Sequence, residues 1–218
     1  RPIMTIAVKI CGVNSKVAMT AAIYGGAALV GLMFYPPSPR FLSLELAAEL
    51  SAMVPKGTWR VGVFVDADDD TIAKTLKAAP FDMLQFHGDE SPERVAEAKA
   101  RFGLPVIKAI KIATSDDIAS AKAFDAVADY LLFDALAPAE DKDALPGGNA
   151  LKFDWRLLKG TTWNHPWMLS GGLDANNLAQ AIETAGALAV DVSSGVETGP
   201  GQKDPVLIQS FLEAASQL

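Results

Sequence analysis

The chain has 218 residues, of which 50% are hydrophobic and 21% charged, and its formal net charge is -7. An acidic surface repels nucleic-acid phosphates and anionic lipids, and no apolar run approaches the roughly 20 residues of a membrane span, so we expect no nucleic acid and no membrane as a partner. One cysteine excludes an intrachain disulfide and favours a reducing, cytoplasmic location, and with only two histidines beside it we expect no metal site.

Eight short apolar, β-branched runs recur along the chain and predict β-strands. They lie at residues 5–10, 28–33, 60–65, 83–86, 106–110, 130–133, 167–169 and 187–192. Stretches with helical spacing lie between them, at residues 44–53, 70–78, 92–102, 114–124 and 175–185. Alternating strands and helices indicate a parallel sheet, and a repeat of about 25–30 residues suits eightfold closure. The predicted fold is therefore a single α/β domain, a (β/α)8 TIM barrel.

We place this domain at residues 4–218 and expect residues 1–3, before the first methionine, to be a remnant of cloning. The alternative fold is an open, doubly wound sheet. That fold usually carries a glycine-rich loop after its first strand, whereas no G-x-G-x-x-G pattern follows Cys11-Gly12-Val13 here. The longest irregular stretch, residues 135–150, is long enough to be a functional or mobile loop.

Two residues at strand ends are candidates for acid–base chemistry. In a TIM barrel the carboxyl ends of the strands carry the active site. Cys11 follows the first strand, where it is either a thiolate base or nucleophile or simply a small buried apolar residue. Asp134 follows the sixth strand, and because no helix begins directly after it, a role as a helix cap is disfavoured.

Three further residues are candidates for binding a substrate. Arg40 ends the proline-rich segment 36–40, which should hold its guanidinium in place as a clamp for a carboxylate or phosphate; the alternative is a solvated surface arginine. His87 follows the fourth strand and Asp191 lies inside the eighth. Each could contact a substrate or be a buried, hydrogen-bonded polar group.

Glycine- and serine-rich loops follow the seventh and eighth strands, where TIM barrels bind phosphate through backbone N–H groups and the N-terminus of a short helix. The candidate phosphate-binding residues are Gly171, Gly172, Ser193, Ser194 and Gly195. The alternative is a pair of ordinary tight turns.

Eight segments, taken in order, resemble the phosphoribosylanthranilate isomerase family and cover nearly the whole chain. They are residues 8–12 (V-K-I-C-G), 38–40 (S-P-R), 61–65 (V-G-V-F-V), 85–90 (Q-F-H-G-D-E), 153–155 (F-D-W), 170–173 (S-G-G-L), 191–197 (D-V-S-S-G-V-E) and 200–204 (P-G-Q-K-D). Any one of these segments is weak evidence for the resemblance, but all eight in this order are specific to the family.

The resemblance implies a barrel without a cofactor that performs an Amadori rearrangement on a phosphorylated small molecule, N-(5′-phosphoribosyl)anthranilate, in tryptophan biosynthesis. It implies that Cys11 is the general base, that Asp134 is the general acid, and that Arg40 holds the anthranilate. The chemistry suits these residue types, because Asp134 can protonate the ring oxygen and the Cys11 thiolate can take a proton from sugar C2. We accordingly expect the pKa of Cys11 to be lowered. A monomer and a homodimer remain equally open.

One loop departs from the family pattern. The family often has G-G-T-G before F-D-W, whereas this chain has Gly147-Gly148-Asn149-Ala150. Alanine enters the left-handed backbone region less readily than glycine, so the shape of this loop is in question.

Three alternative functions make different predictions for these positions. An indole-glycerol-phosphate synthase should carry an essential lysine at a strand end, whereas Lys9 lies within its strand. A histidine-pathway isomerase should have an aspartate in place of Cys11. A catalytically silent barrel that binds a phosphorylated ligand or a partner enzyme should lack a coherent acid–base pair.

Overall fold

The computed structural model describes residues 5–137, 141 and 143–218, so the expected remnant at residues 1–3 lies outside the described residues. Eight parallel strands pair in chain order and close into a barrel, which confirms the predicted TIM barrel. The strands are Ala7–Ile10 (β1), Leu29–Met33 (β2), Trp59–Phe64 (β3), Met83–Phe86 (β4), Val106–Ile112 (β5), Tyr130–Ala135 (β6), Trp167–Leu169 (β7) and Ala189–Val192 (β8). A two-stranded antiparallel hairpin, Glu197–Gly199 (β9) and Gln202–Lys203 (β10), follows the last of them.

Helices pack outside the barrel, between its strands and after the last of them. They are Lys16–Tyr24 (α1), Leu44–Met53 (α2), Asp69–Ala78 (α3), Pro92–Phe102 (α4), Ser115–Ser120 (α5), Lys122–Asp125 (α6), Leu178–Ala185 (α7) and Pro205–Ser216 (α8). Side chains at Ser43, Asp68, Ser91 and Asp204 accept backbone N–H groups at helix starts, and each such cap is worth about 1 kcal/mol. Every described helix is too short to cross a membrane as an apolar span.

The helical prediction for residues 114–124 was too simple. The segment forms two short helices, α5 and α6, which meet at Ala121. Ser120 Oγ donates to the Asp116 carbonyl at 2.9 Å, and a serine that bonds back to the preceding turn weakens a helix at that point. After β6, the described part of the segment before β7 contains only a 3-10 turn, Trp155–Leu158.

Alternation along the strands decides which side chains enter the barrel. Successive side chains of a strand point to opposite faces, so in β4 Met83 and Gln85 face inward while Leu84 and Phe86 pack against helices. The barrel interior is filled mainly by Val61, Val63, Met83, Ile107, Ala109, Leu132 and Met168. Polar side chains at inward positions of the same strands are therefore directed to the barrel axis or its mouth.

Candidate active site

A cavity among the described residues lies at the carboxyl ends of the strands. The free space within it, including its open mouth, is about 740 Å³. Its lining includes Cys11 from the end of β1, Asp134 from the end of β6, and residues of the loops after β2, β6, β7 and β8. The structure thus brings every residue singled out as a site candidate to one end of the barrel.

Cys11 lies in a buried position beside an ammonium group. A Cβ placed on Gly31 would lie 2.9 Å from Cys11 Sγ and 3.1 Å from Lys9 Nζ, so the absence of a side chain at Gly31 leaves room for both groups. Burial raises the pKa of the Cys11 thiol, and the positive charge of Lys9 only partly opposes this. The expected lowering of the Cys11 pKa was therefore wrong, because desolvation of a thiolate inside the barrel outweighs the nearby cation.

Lys9 is wholly buried and is held by a short chain of hydrogen bonds. Its Nζ donates to Asp191 Oδ1 at 2.8 Å, and Ser170 Oγ donates to Asp191 Oδ2 at 2.9 Å. Burial alone would lower the pKa of Lys9, but attraction to Asp191 and Cys11 raises it, so the ammonium keeps its charge. Asp191, a predicted substrate ligand, therefore already neutralises a buried cation beside Cys11.

Asp134 is bonded through both of its carboxyl oxygens. Oδ1 accepts the Ala135 backbone N–H at 2.9 Å, and Oδ2 lies 3.0 Å from His87 Nε2. On the far side of the imidazole, Gln85 Nε2 lies 3.0 Å from His87 Nδ1. A Cβ on Gly147 would come within 3.0 Å of both His87 and Asp134, so this glycine lets the loop after β6 cover the pair.

Arg40 is held by a carboxylate and not by its neighbouring prolines alone. Its Nε donates to Glu197 Oε1 at 2.7 Å, and Nη2 lies 2.6 Å from the same oxygen. Nη2 also donates to the Gly148 carbonyl at 3.3 Å, which ties Arg40 to the loop after β6.

Lys203 lies on the other side of the same carboxylate. Burial lowers the pKa of Lys203 to about 8, although the negative charge of Glu197, 3.2 Å away, opposes that shift.

The loops after β7 and β8 approach the rest of the site closely. Gly171 and Gly172 have φ of 92° and 63°, which glycine adopts without strain. A Cβ on Gly172 would lie 2.8 Å from the Leu151 carbonyl, and one on Gly195 would clash with the Leu173 carbonyl. Ser193 leads into a short 3-10 helix at Ser194–Val196, the type of element expected at a barrel phosphate site.

Ala150 occupies the left-handed region, with φ of 56°. This chain therefore places an alanine in a backbone conformation that glycine adopts more readily. Asn149 supports the turn, because its Oδ1 accepts the Leu145 N–H at 2.9 Å and its Nδ2 donates to the Leu145 carbonyl at 2.6 Å. The turn therefore contains a strained alanine, and the hydrogen bonds between Asn149 and Leu145 hold it in place.

Replacing Ala150 with glycine is expected to stabilise the protein by roughly 1 kcal/mol, because relief of a positive φ outweighs the added entropy of the unfolded chain. In a domain of this size the midpoint of thermal unfolding should rise by about 2–4 °C. Ala113→Gly is the matched control: Ala113 is an exposed loop residue without a positive φ, so its replacement should lower the midpoint slightly. Equal shifts in the two variants would show that Ala150 is unstrained.

Five residues of this site were not predicted from the sequence. Lys9 and Gln85 each lie two positions before a predicted site residue, so strand alternation could have placed them in the barrel. Ser170 has the same inward register as Met168. Glu197 and Lys203 lie opposite each other on the β9–β10 hairpin, and no periodic signal marks them.

Barrels with glycine-rich loops after the seventh and eighth strands bind phosphate there, and acid–base side chains at the same end provide for proton transfer. The fold and the site together define a TIM-barrel enzyme that acts on a phosphorylated small molecule.

Comparison with known proteins gives the family. The model of the family described as N-(5′-phosphoribosyl)anthranilate (PRA) isomerase matches residues 8–214. The chain is 54% identical to N-(5′-phosphoribosyl)anthranilate isomerase of Rhodospirillum centenum over 215 residues, which cover 99% of this chain and 100% of the relative. It therefore belongs to the N-(5′-phosphoribosyl)anthranilate isomerase family.

Solved structures agree with this assignment. Phosphoribosyl anthranilate isomerase from Thermotoga maritima superposes with a TM-score of 0.86 at 34% identity, covering 98% of this chain and 100% of that chain. A phosphoribosyl anthranilate isomerase in complex with reduced 1-(o-carboxyphenylamino)-1-deoxyribulose 5-phosphate has a TM-score of 0.82 at 32% identity, with the same coverage.

Proposed function

We propose that Cys11 and Asp134 are the general base and general acid with which this chain isomerises N-(5′-phosphoribosyl)anthranilate to 1-(2-carboxyphenylamino)-1-deoxyribulose 5-phosphate. As a member of its family the chain is an isomerase of tryptophan biosynthesis. The observation that carries the assignment of roles is that the thiol and the carboxyl group line one cavity from strands β1 and β6. Purified protein given freshly made substrate should abolish the substrate's fluorescence, and a protein without turnover would contradict the activity itself.

The reaction needs one proton delivered and one removed. Asp134 gives its proton to the furanose ring oxygen, the C1–O bond breaks, and the anthranilate nitrogen forms a double bond to C1. The Cys11 thiolate then takes the proton from C2 to give an enolamine, which becomes the ketone of the product when C1 gains one proton and the C2 hydroxyl loses one. Acid and base must flank one bound sugar for this sequence, which positions on β1 and β6 allow.

Lys9 supports the thiolate in this scheme. Burial raises the pKa of the Cys11 thiol, so the thiolate that serves as the base needs a stabilising charge beside it. The Lys9 ammonium beside Sγ supplies a fixed positive charge, and Asp191 with Ser170 fixes the position of that charge. A preorganised charge inside a barrel costs no reorganisation during the reaction. Asp191 keeps unused lone pairs on both oxygens, which leaves it able to contact a substrate hydroxyl.

The two ends of the substrate have separate binding groups in this proposal. The loops that contain Gly171–Gly172 and Ser193–Gly195 take the phosphate, since their glycines allow close backbone approach. Arg40 lines the same cavity and takes the anthranilate carboxylate with the guanidinium donors that Glu197 does not use.

A crystal structure with the reduced product analogue tests this orientation. We expect the phosphate at the loops after β7 and β8 and the carboxylate at Arg40. The physical reason is that backbone N–H groups at glycine-rich loops suit a phosphate, whereas a partly paired guanidinium retains donors for one carboxylate. Electron density with the phosphate on Arg40 would reverse the proposal.

Other properties follow from the same assignment. We place this biosynthetic enzyme, with its one buried thiol, in the cytoplasm. Its partner is a phosphorylated small molecule, and its acidic charge makes nucleic acid a poor partner. We place the single catalytic domain at residues 4–218, as a monomer or a homodimer.

A further inference from the structure

We propose that Gln85 is a positioning residue for catalysis: it fixes the tautomer of His87 so that Nε2–H always points at Asp134. The inference rests on the proposed role of Asp134 and adds a buried group behind it. His87 then acts on the acid and not as the substrate ligand predicted from the sequence.

The backbone around His87 is fixed by bonds that do not involve Gln85. The His87 N–H donates to the Phe64 carbonyl at 2.8 Å. Lys108 Nζ donates to the Gly88 carbonyl at 2.7 Å and to Glu90 Oε2 at 2.8 Å, and that carboxylate accepts the Gly88 N–H at 2.9 Å. These backbone bonds do not determine which imidazole nitrogen of His87 carries the proton.

The placement of the Gln85 amide points to one tautomer. Gln85 Nε2 has only hydrogens to offer, so His87 Nδ1, 3.0 Å away, must accept. In a neutral imidazole Nε2 then carries the hydrogen and donates to Asp134 Oδ2 at 3.0 Å. Asp134 Oδ1 meanwhile accepts the Ala135 N–H, so both oxygens face donors.

This arrangement favours the charge that forms during the reaction. When Asp134 gives its proton to the ring oxygen, it becomes a carboxylate, and two fixed donors stabilise that carboxylate as it develops. With the opposite tautomer, the lone pair of Nε2 would face the new negative charge and the stabilisation would be lost. A single buried amide thus determines whether the acid can release its proton easily.

The Gln85 amide does not favour the stability of the fold. Gln85 is wholly buried, and its Oε1 has no hydrogen-bond partner among the described residues. An unpaired buried carbonyl costs about 1–3 kcal/mol. An apolar side chain of similar size would avoid that cost, so the retained amide points to a role in the reaction.

The test has two measurements: the tautomer of His87 in the free protein, from ¹⁵N signals, and kcat in the enzyme assay. The chain has two histidines, and His165 lies before β7, beside Asp125 at the amino ends of the strands, so a His165→Gln variant assigns the ¹⁵N signals of His87 unambiguously. In wild type we expect Nδ1 unprotonated and Nε2 protonated at neutral pH. Gln85→Glu places an acceptor at Nδ1 and should protonate it.

Gln85→Met is the matched variant that removes the hydrogen bond without adding charge. Both Gln85 variants should lower kcat by about 10–100-fold, the loss known for groups that orient a metal-binding histidine, with KM nearly unchanged. Gln85→Met should unfold near the wild-type temperature, because loss of the unpartnered carbonyl offsets loss of the amide–imidazole bond. A purely structural glutamine would instead lower the unfolding temperature and leave kcat intact.

Two results overturn the inference: a protonated Nδ1 in wild type, or a Gln85→Met protein with wild-type kcat. The nitrogen signals do not depend on turnover, so the tautomer is decided even if a variant folds poorly. An inactive wild type would refute the proposed function, whereas an active wild type with the wrong tautomer would refute only the role of Gln85.

Discussion

Replacing Cys11 with serine is expected to lower kcat by about 10²–10⁴-fold, the usual loss when a positioned base is removed, which corresponds to roughly 3–5 kcal/mol of transition-state stabilisation. Serine nearly preserves the size of the side chain, but its hydroxyl is far too weak an acid to provide an anion at C2. The Lys9 ammonium would then face a neutral group and could not assist. Steady-state kinetics on both proteins measures the effect, and KM should change much less than kcat.

Cys11→Ala is the companion variant, since it keeps an uncharged side chain and removes the titratable group entirely. Both variants should lose turnover to a similar extent, and circular dichroism should show that both fold. Near wild-type turnover in Cys11→Ser would make Cys11 a packing residue and would refute its role as base.

The barrel could be predicted because its signals are local and repeated. Each strand is a short apolar run bounded by turn residues, and the predicted runs at 83–86 and 167–169 coincide with β4 and β7. Other strand limits moved by one to two residues, as β5 shows by reaching Ile112. A chain with eight repeats of one strand–helix pattern can adopt few sheet topologies, because parallel strands with helical connections pair in chain order.

The catalytic candidates could also be predicted from local signals. The residues that form ion pairs and hydrogen bonds around them could not. Cys11 and Asp134 stand at the carboxyl ends of strands, so position alone brought them to one mouth. Their chemistry depends on contacts between residues far apart in sequence: Lys9 with Asp191 across 182 positions and Arg40 with Glu197 across 157. No spacing within the sequence encodes such pairs.

The pKa of Cys11 shows where reasoning from residue types fails. A thiol expected to act as a base invites the inference of a lowered pKa, and two cations, Lys9 and Lys203, do act in that direction. The barrel also removes water from the thiol, and desolvation is the larger effect. The sign of the shift therefore follows from burial, which only the folded structure gives.

Asp134→Asn should lower kcat by about 10²–10⁴-fold, because asparagine keeps the shape of the side chain but has no proton acidic enough for the ring oxygen. The amide also fits its surroundings imperfectly: Asp134 accepts two hydrogen bonds, from Ala135 and His87, and an amide has one oxygen to offer. We therefore expect some loss of stability alongside the loss of rate, about 1–3 kcal/mol for one unpaired buried group. Asp89→Asn is the matched control, since Asp89 lies on the adjoining β4–α4 loop with a side chain that is 90% exposed, and it should keep wild-type kcat. Single-turnover measurements at saturating substrate separate the chemical step from binding and product release. If Asp134→Asn turns over as fast as Asp89→Asn, the proton on the ring oxygen comes from elsewhere, and neither Asp134 nor the His87 hydrogen bond behind it has the role proposed here.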